Sequence, residues 1–177
     1  MEKRNTTGLK IAVTGPESTG KSLIAKHLAD KFGGIFIPEY AREYIQTINR
    51  PYCYDDIETI ARRQIQQYTE LKNESAPVFF DTWLIITKVW FDWVYQRIPD
   101  WLEENIRSCP VDLFLLMKPD IPWEADPARE NGGENRLKLY QRYQQELKYY
   151  QFDYVEIGGL GKQRFTNAEN EISRILK

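Results

Sequence analysis

The chain has 177 residues, the size of one domain with a substantial core, and its 24 basic and 26 acidic residues leave a net charge of −2. This balance favours neither nucleic acid nor an anionic membrane as a partner, and no run of about 18 apolar residues predicts a membrane-spanning helix. The cysteines Cys53 and Cys109 lack metal-site spacing and are typical of a reducing compartment, so we expect a cytoplasmic protein. Residues 1–8 contain no apolar segment and are expected to form a flexible tail before a single domain over residues 9–177.

A phosphate-binding loop is predicted near the start of the chain, because residues 15–22 match the Walker A pattern G-x-x-x-x-G-K-[ST]. The apolar residues 9–14 predict a buried strand before it, and the apolar spacing over residues 22–32 predicts a helix after it. Such a turn gathers backbone N–H groups around one point that suits a polyphosphate. Lys21 is expected to reach the β- and γ-phosphates of ATP, and the Ser22 hydroxyl to bind Mg²⁺. The predicted nucleotide-binding residues here are Gly15, Pro16, Glu17, Ser18, Thr19, Gly20, Lys21 and Ser22.

The apolar patterns then alternate between strands and helices. Five strands are predicted in all, over residues 9–14, 35–37, 76–82, 112–117 and 154–157. The predicted helices cover residues 22–32, 57–71, 83–97, 101–107, 136–150 and 166–176, with a capping box of Asp55 and Glu58 at the second. This alternation predicts an α/β fold, a five-stranded parallel sheet with helices on both faces. The aromatic residues of the 83–97 helix are interpreted as packing core.

Two carboxylates are predicted at the carboxyl ends of strands, the edge where open α/β sheets bind ligands. Asp81 ends the third strand, and we interpret it as a Walker-B-type ligand of Mg²⁺ that also faces the substrate, with a helix N-cap as the alternative. Glu39 ends the second strand and is expected to accept the proton of the acceptor hydroxyl or only to orient that hydroxyl. Arg42 follows one helical turn later, and both substrate binding and a surface ion pair remain open for it.

The polar segment of residues 118–136 is predicted to be a mobile lid over the nucleotide. Its arginines would neutralise charge on the migrating phosphoryl group, with Arg129 as the first candidate and Arg136 as the second. Trp123 would stack on a flat heterocycle or fasten the closed lid, and Arg164 would line the adenine pocket. A solvated loop is the alternative for the whole segment.

Several of these motifs resemble the kinase domain of NadR, the ribosylnicotinamide kinase of bacterial NAD salvage. The resemblance is carried by the Walker A motif and by the runs Glu39-Tyr40-Ala41-Arg42-Glu43-Tyr44, Asp81-Thr82, and Asp120-Ile121-Pro122-Trp123 with Asp126 and Arg129. It implies ATP- and Mg²⁺-dependent phosphorylation of the 5′-hydroxyl of nicotinamide riboside, with Tyr40 at the substrate site, and a P-loop NTPase fold like that of nucleoside and nucleotide kinases. The nucleotidyltransferase and DNA-binding segments of full-length NadR have no counterpart in this sequence, so adenylylation and repression are not expected.

The residues alone indicate a small-molecule kinase without identifying its acceptor. A different nucleoside or a nucleotide remains open as acceptor, because Arg42, Arg62 and Arg63 supply cations for an extra phosphate. A nucleotide-binding switch that hydrolyses slowly is the alternative from another class of protein. Glu39, Asp81 and an arginine-bearing lid together favour phosphoryl transfer over switching.

Overall fold

The computed structural model describes residues 8–125 and 130–176. Its strands are β1 (Lys10–Thr14), β2 (Ile35–Ile37), β3 (Val78–Asp81), β4 (Leu113–Met117) and β5 (Tyr154–Ile157). Its helices are α1 (Lys21–Phe32), α2 (Tyr40–Thr47), α3 (Tyr54–Glu70), α4 (Leu84–Tyr95), α5 (Asp100–Ser108), α6 (Glu134–Tyr149) and α7 (Lys162–Ile175). The strands lie where the apolar patterns predict them.

The five strands form one parallel sheet in the order β2-β3-β1-β4-β5. β1 is central, and its Val13 lies opposite Asp81 of β3 and Leu115 of β4, so the carboxyl ends of these three strands meet at one edge. The chain moves to one side of β1 for β2 and β3 and to the other side for β4 and β5, which makes the end of β1 the switch point of the sheet. Ligands of open α/β sheets bind at this point.

Helices cover both faces of the sheet, and successive residues of β1 point to opposite faces. Ile11 and Val13 belong to the cluster with α1 and α7, whereas Ala12 belongs to the larger cluster with α3, α4, α5 and α6. Burial on both faces explains why these strands are continuous apolar runs. The predicted α/β fold with a five-stranded parallel sheet and helices on both faces is confirmed.

Two helix starts differ from the predicted ones by more than about two residues, those of α3 and α7. The capping box of α3 is formed by Cys53 and Asp56, not by Asp55 and Glu58, because the Asp56 carboxylate accepts a hydrogen bond from the backbone N–H of Cys53 at 2.7 Å. The same carboxylate forms an ion pair with Arg50 at 2.6 Å. α7 begins at Lys162 rather than at residue 166, directly after a glycine with a φ of 51°. In both cases a local turn fixes the helix start before the apolar periodicity begins.

The helix α2 follows β2 almost directly and has no buried residue. No helix is predicted there from the sequence, although Tyr40, Ala41, Tyr44 and Ile45 recur at helical spacing. Within the described ranges, none of the helices combines the length and hydropathy needed to cross a membrane.

Candidate active site

The phosphate loop joins the end of β1 to the start of α1, at the switch point of the sheet. Gly15 has a φ of 138°, and a Cβ there would lie 2.8 Å from the carbonyl oxygen of Met117 on β4, so a side chain is excluded. Gly20 precedes α1 with a φ of 80°. The Thr19 hydroxyl donates to the carbonyl oxygen of Pro16 at 2.8 Å and closes the loop. The free N–H groups at the start of α1 and its dipole favour an anion in front of this loop.

Lys21 is the first residue of α1, and its side chain lies across the phosphate loop. Its Nζ donates to the carbonyl oxygen of Pro16 at 2.9 Å. Burial lowers the pKa of Lys21, and the nearby carboxylates of Glu39, Asp81 and Glu17 oppose this shift. The lysine therefore lies between the phosphate loop and the two predicted catalytic acids.

Asp81 ends β3 beneath the first turn of α1, where it is only 4% exposed. Burial raises the pKa of Asp81, while a hydrogen bond from Ser22 and the charge of Lys21 act in the opposite direction. Among the described residues, Asp81 Oδ1 finds no hydrogen-bond partner. A buried carboxylate oxygen that lacks a partner, beside a serine hydroxyl, is a donor set that fits Mg²⁺.

A metal ion at this point would depend on ligands from outside the protein. Residues 8–125 and 130–176 contain no group of three or more His, Cys, Asp or Glu side chains that could hold a metal. Mg²⁺ commonly takes one or two carboxylates and completes its shell with phosphate oxygens and water. The pair Ser22 and Asp81 suits such a nucleotide-dependent site.

Glu39 lies between β2 and α2, at the N-cap position of α2. Burial raises the pKa of Glu39; Lys21 opposes this effect and Asp81 adds to it. The Nε of Arg42 lies 3.8 Å from the Glu39 carboxylate, with the Arg42 side chain 42% exposed. The structure thus brings Glu39, Asp81 and Lys21 close enough for their charges to interact, with Arg42 at the rim.

A cavity of about 830 Å³ lies in front of the phosphate loop at the carboxyl edge of the sheet. Its floor consists of Gly15 and residues 17–22, and Glu39 lies at its side. The opposite wall comes from α2, α4, α6 and the α2–α3 loop, and consists of Ala41, Arg42, Ile45, Tyr52, Ile86, Trp90, Trp93, Val94, Leu139 and Tyr143. Small-molecule sites have volumes of about 300–1,000 Å³, so this cavity has the size of a small-molecule site.

The aromatic wall corrects the interpretation of α4 as core alone. Trp83, just before α4, and Phe91 are fully buried as expected, but Trp90 and Trp93 line the cavity. Tyr52, from the α2–α3 loop, packs edge-on against Trp90 with ring centroids 5.0 Å apart. The missed signal is a second apolar stripe on α4 at positions i, i+4, i+7 and i+8, formed by Ile86, Trp90, Trp93 and Val94.

The segment between β4 and α6, which was predicted to be a lid, contacts the phosphate loop at two points. The backbone N–H of Glu124 donates to Ser18 Oγ at 3.0 Å. The backbone N–H of Asn131 donates to the Glu17 carboxylate at 2.9 Å. Two further predicted residues lie outside the described ranges, namely Asp126 and the predicted catalytic residue Arg129.

Four other predicted residues lie away from the cavity surface. Arg136 and Arg164 are buried at 7% and 3% exposure and donate to backbone carbonyls of the phosphate loop. The Trp123 ring centroid lies 6.0 Å from the Arg136 guanidinium. Tyr40 packs its ring against another tyrosine of α2 at 5.9 Å. Of the residues that the structure describes, those that line the cavity include none of these four, and they also lack Asp81 and Pro16 of the predicted site.

The chain is similar to NadR of Salmonella typhimurium, a trifunctional NAD biosynthesis/regulator protein, with 27% identity over 153 residues that cover 83% of this chain and 37% of that protein. It is similar to a crystal structure of a NadR protein in complex with NR, with a TM-score of 0.82 and 22% identity over 98% of this chain and 53% of that chain. A NadR protein in complex with NAD and AMP-PNP gives a TM-score of 0.77 and 23% identity over 98% of this chain and 51% of that chain.

These matches confirm the resemblance to NadR, and the solved structures confirm the fold. The chain spans about half the length of the two solved NadR structures. It spans less than half the length of the curated relative. The family model AAA_28, described as an AAA domain, matches residues 10–164, a range that includes the phosphate loop and both strand-end acids. Because this match covers most of the sequence, the chain belongs to the AAA_28 family of AAA domains.

Proposed function

We propose that this chain is a phosphotransferase that moves the γ-phosphoryl group of ATP to the 5′-hydroxyl of nicotinamide riboside. The observation that carries the proposal is the cavity in which a phosphate loop and the strand-end carboxylate of Glu39 face the same space. The acceptor assignment is supported by the similarity to NadR, an NAD biosynthesis/regulator protein whose relative has been crystallised with NR.

The donor side would hold the β- and γ-phosphates of ATP between the loop amides and Lys21. Ser22 and Asp81 would hold Mg²⁺, and the partnerless Oδ1 of Asp81 supports this role. When bound, the ion neutralises charge on the phosphate oxygens. An anionic triphosphate also restores the solvation that the buried ammonium of Lys21 lacks, which favours the charged form of the lysine.

The acceptor side would hold the ribose hydroxyl against Glu39. Burial raises the pKa of Glu39, and a raised pKa makes a carboxylate a better proton acceptor at neutral pH. The main contribution is nevertheless position, because phosphoryl transfer requires the hydroxyl in line with the γ-phosphorus. Arg42, at 3.8 Å from Glu39, would hold that carboxylate in place.

The aromatic wall suits the nicotinamide ring of this acceptor. That ring carries a positive charge in the riboside, and aromatic faces attract cations. Trp90, Trp93 and Tyr52 supply three aromatic rings at the cavity, and Glu130 supplies a carboxylate at its edge. An uncharged nucleoside would gain the apolar contact with these rings but not the electrostatic attraction.

The segment between β4 and α6 acts as a lid in this proposal. Its contacts with Ser18 and Glu17 hold it over the donor side of the cavity, where it would exclude water from the phosphoryl group. Arg129 keeps the role predicted from the sequence, which is to neutralise charge on the migrating group.

The test is a rate comparison across acceptors with the purified chain, ATP and Mg²⁺. The acceptors are nicotinamide riboside, adenosine, cytidine, uridine, thymidine and thymidine monophosphate, with ADP release and product mass as the measurements. Nicotinamide riboside is expected to react about tenfold faster than the others, since cation–π contacts contribute about 0.5–2 kcal/mol and a factor of ten corresponds to about 1.4 kcal/mol. A Lys21→Met preparation controls for contaminating kinases. Equal rates would refute the acceptor assignment, and no ADP release with any acceptor would refute phosphotransfer.

A further inference from the structure

Three successive carbonyl oxygens of the phosphate loop accept hydrogen bonds from two buried arginines. Arg136 Nε donates to the carbonyl oxygen of Glu17 at 3.1 Å, and its Nη2 donates to that of Ser18. Arg164 Nη1 donates to the carbonyl oxygen of Thr19 at 3.2 Å. The arginines come from α6 and α7, so the loop is held from behind by two different helices.

These contacts fix the direction of the loop amides. In a trans peptide the C=O of one residue and the N–H of the next point in opposite directions. Carbonyls held against the arginines on the protein side therefore turn the N–H groups of Ser18, Thr19 and Gly20 towards the side where a phosphate would lie. The loop gains from such support, because Ser18 has a φ of 56°, in the left-handed region that non-glycine residues rarely adopt.

Arg164 is anchored on its other side as well. It donates to the carbonyl oxygens of Gly159 at 3.0 Å and Lys118 at 3.2 Å, and it forms an ion pair with Asp120. Asp120 also accepts the backbone N–H of Gly159 at 2.8 Å. The guanidinium thus connects the loops after β4 and β5 to the phosphate loop, and its donors are directed at the protein rather than at the cavity. Burial lowers the pKa of Arg164, but an arginine stays charged in proteins.

We propose that Arg164 is a positioning residue that orients the amides of the phosphate loop for the β- and γ-phosphates of a nucleoside triphosphate, without contacting the nucleotide. This inference rests on the proposed function only in taking such a triphosphate as the donor. It assigns Arg164 a different role from the adenine contact predicted from the sequence. The two roles differ in what they recognise: an oriented loop recognises phosphates, whereas an adenine contact recognises the base.

The experiment measures equilibrium affinities for ATP and for AMP in magnesium buffer. Arg164→Met is compared with wild type and with Arg174→Met, a control on the same helix whose side chain is 72% exposed and paired with Glu171. Arg164→Met is expected to weaken ATP binding about tenfold or more, as for the loss of a charged hydrogen bond, with AMP affinity within about twofold. Arg174→Met is expected to leave both affinities unchanged. Equal losses for ATP and AMP, or no loss for ATP, would overturn the proposal.

Two milder variants keep the proposal testable if Arg164→Met does not fold, which circular dichroism and thermal unfolding would show. Arg164→Lys retains the charge but not the planar fork, and Asp120→Asn removes the carboxylate that anchors Arg164. Each is expected to weaken ATP binding by about threefold to tenfold more than AMP binding. Unchanged ATP affinity in both folded variants would overturn the proposal.

The binding assay separates this inference from the proposed function. It needs no acceptor, so a wild-type chain that binds ATP but does not phosphorylate nicotinamide riboside refutes the acceptor and leaves Arg164 to be judged by its affinities. In an active enzyme, the same role predicts a raised KM for ATP in Arg164→Lys with the acceptor KM unchanged. A general loss of structure would change both KM values.

Discussion

The two halves of the cavity are built in different ways. The donor half is a continuous eight-residue loop, and its predicted ligands are mostly backbone N–H groups. The acceptor half consists of side chains from α2, α4, α6 and the α2–α3 loop, which meet only in the folded chain. Backbone amides bind any polyphosphate, whereas side chains can distinguish one acceptor from another. We therefore expect changes in the donor half to affect turnover with every acceptor, and changes in the acceptor half to affect selectivity.

The largest expected effect comes from Lys21, the charged side chain of the donor half that lies across the loop. Lys21→Met should lower kcat by about 10²–10³-fold, because it removes a preorganised cation from the transferring phosphoryl group. Initial rates with saturating ATP and several acceptors measure this effect. The loss should be the same for each acceptor. A loss confined to one acceptor would show that Lys21 contributes to acceptor recognition and not to the donor half.

Asp81→Asn should separate activity from stability. It removes the proposed Mg²⁺ ligand and should lower kcat by about 10²-fold or more. It should nevertheless raise Tm without nucleotide by about 3 °C, because burial disfavours the charged carboxylate that the amide replaces. Thermal unfolding in nucleotide-free buffer measures the gain. Asp92→Asn is the control, since Asp92 is 40% exposed and paired with Arg142 at 2.9 Å. A lower Tm for Asp81→Asn would mean that Ser22 and Lys21 stabilise the charged carboxylate more than burial destabilises it.

The pH dependence of this gain follows from the raised pKa of Asp81. A carboxyl group with a folded-state pKa above its unfolded value stabilises the fold at low pH, and that contribution is lost as pH rises through the folded pKa. The amide introduced by Asp81→Asn does not titrate. The Tm difference between variant and wild type should therefore be present at neutral pH and should narrow as pH falls through the raised pKa.

The donor half could be predicted from the sequence because its information is local. The Walker A pattern lies between an apolar strand and a helix, and parallel strands align their carboxyl ends, which brings Glu39 and Asp81 to one edge. Of the acceptor half, Glu39 and Arg42 could be predicted, but the aromatic wall could not. Tyr52 and Trp90 are far apart in sequence, and α4 carries two apolar stripes, so periodicity alone does not show which stripe faces the core. Arg164 reaches Thr19 across 145 residues, and no sequence motif indicates a hydrogen bond to a carbonyl.

Trp90→Ala tests the selectivity of the acceptor half. It should raise the KM for nicotinamide riboside by about tenfold and leave the affinity for ATP unchanged, because an aromatic face contributes about 0.5–2 kcal/mol to a cationic ring. Trp101→Ala is the matched control, since Trp101 lies on α5 and donates to Glu58 at 3.1 Å. Steady-state kinetics with each substrate varied in turn measure both constants. Weaker ATP binding in Trp90→Ala would show that the two halves are not independent.

The smallest effect is expected at a side-chain hydrogen bond that joins the acceptor wall to the segment between β4 and α6. The Tyr52 hydroxyl donates to the Glu130 carboxylate at 3.0 Å, while the Tyr52 ring packs on Trp90. Tyr52→Phe keeps the ring and removes only the hydroxyl, so it should raise the acceptor KM by about twofold to threefold, as expected for one partly exposed hydrogen bond.

A double-mutant cycle with Glu130→Gln tests whether the hydrogen bond between Tyr52 and Glu130 couples the segment between β4 and α6 to acceptor binding. If the contact is the only path, the double variant should be no worse than either single variant, with a coupling of about 0.5 kcal/mol in the acceptor KM. Tyr68→Phe, whose hydroxyl donates to the Pro110 carbonyl at 2.8 Å away from the cavity, should show no coupling to Glu130→Gln. Additive effects would mean that Tyr52 acts through its ring alone, and that the acceptor wall recognises its ligand independently of the segment between β4 and α6.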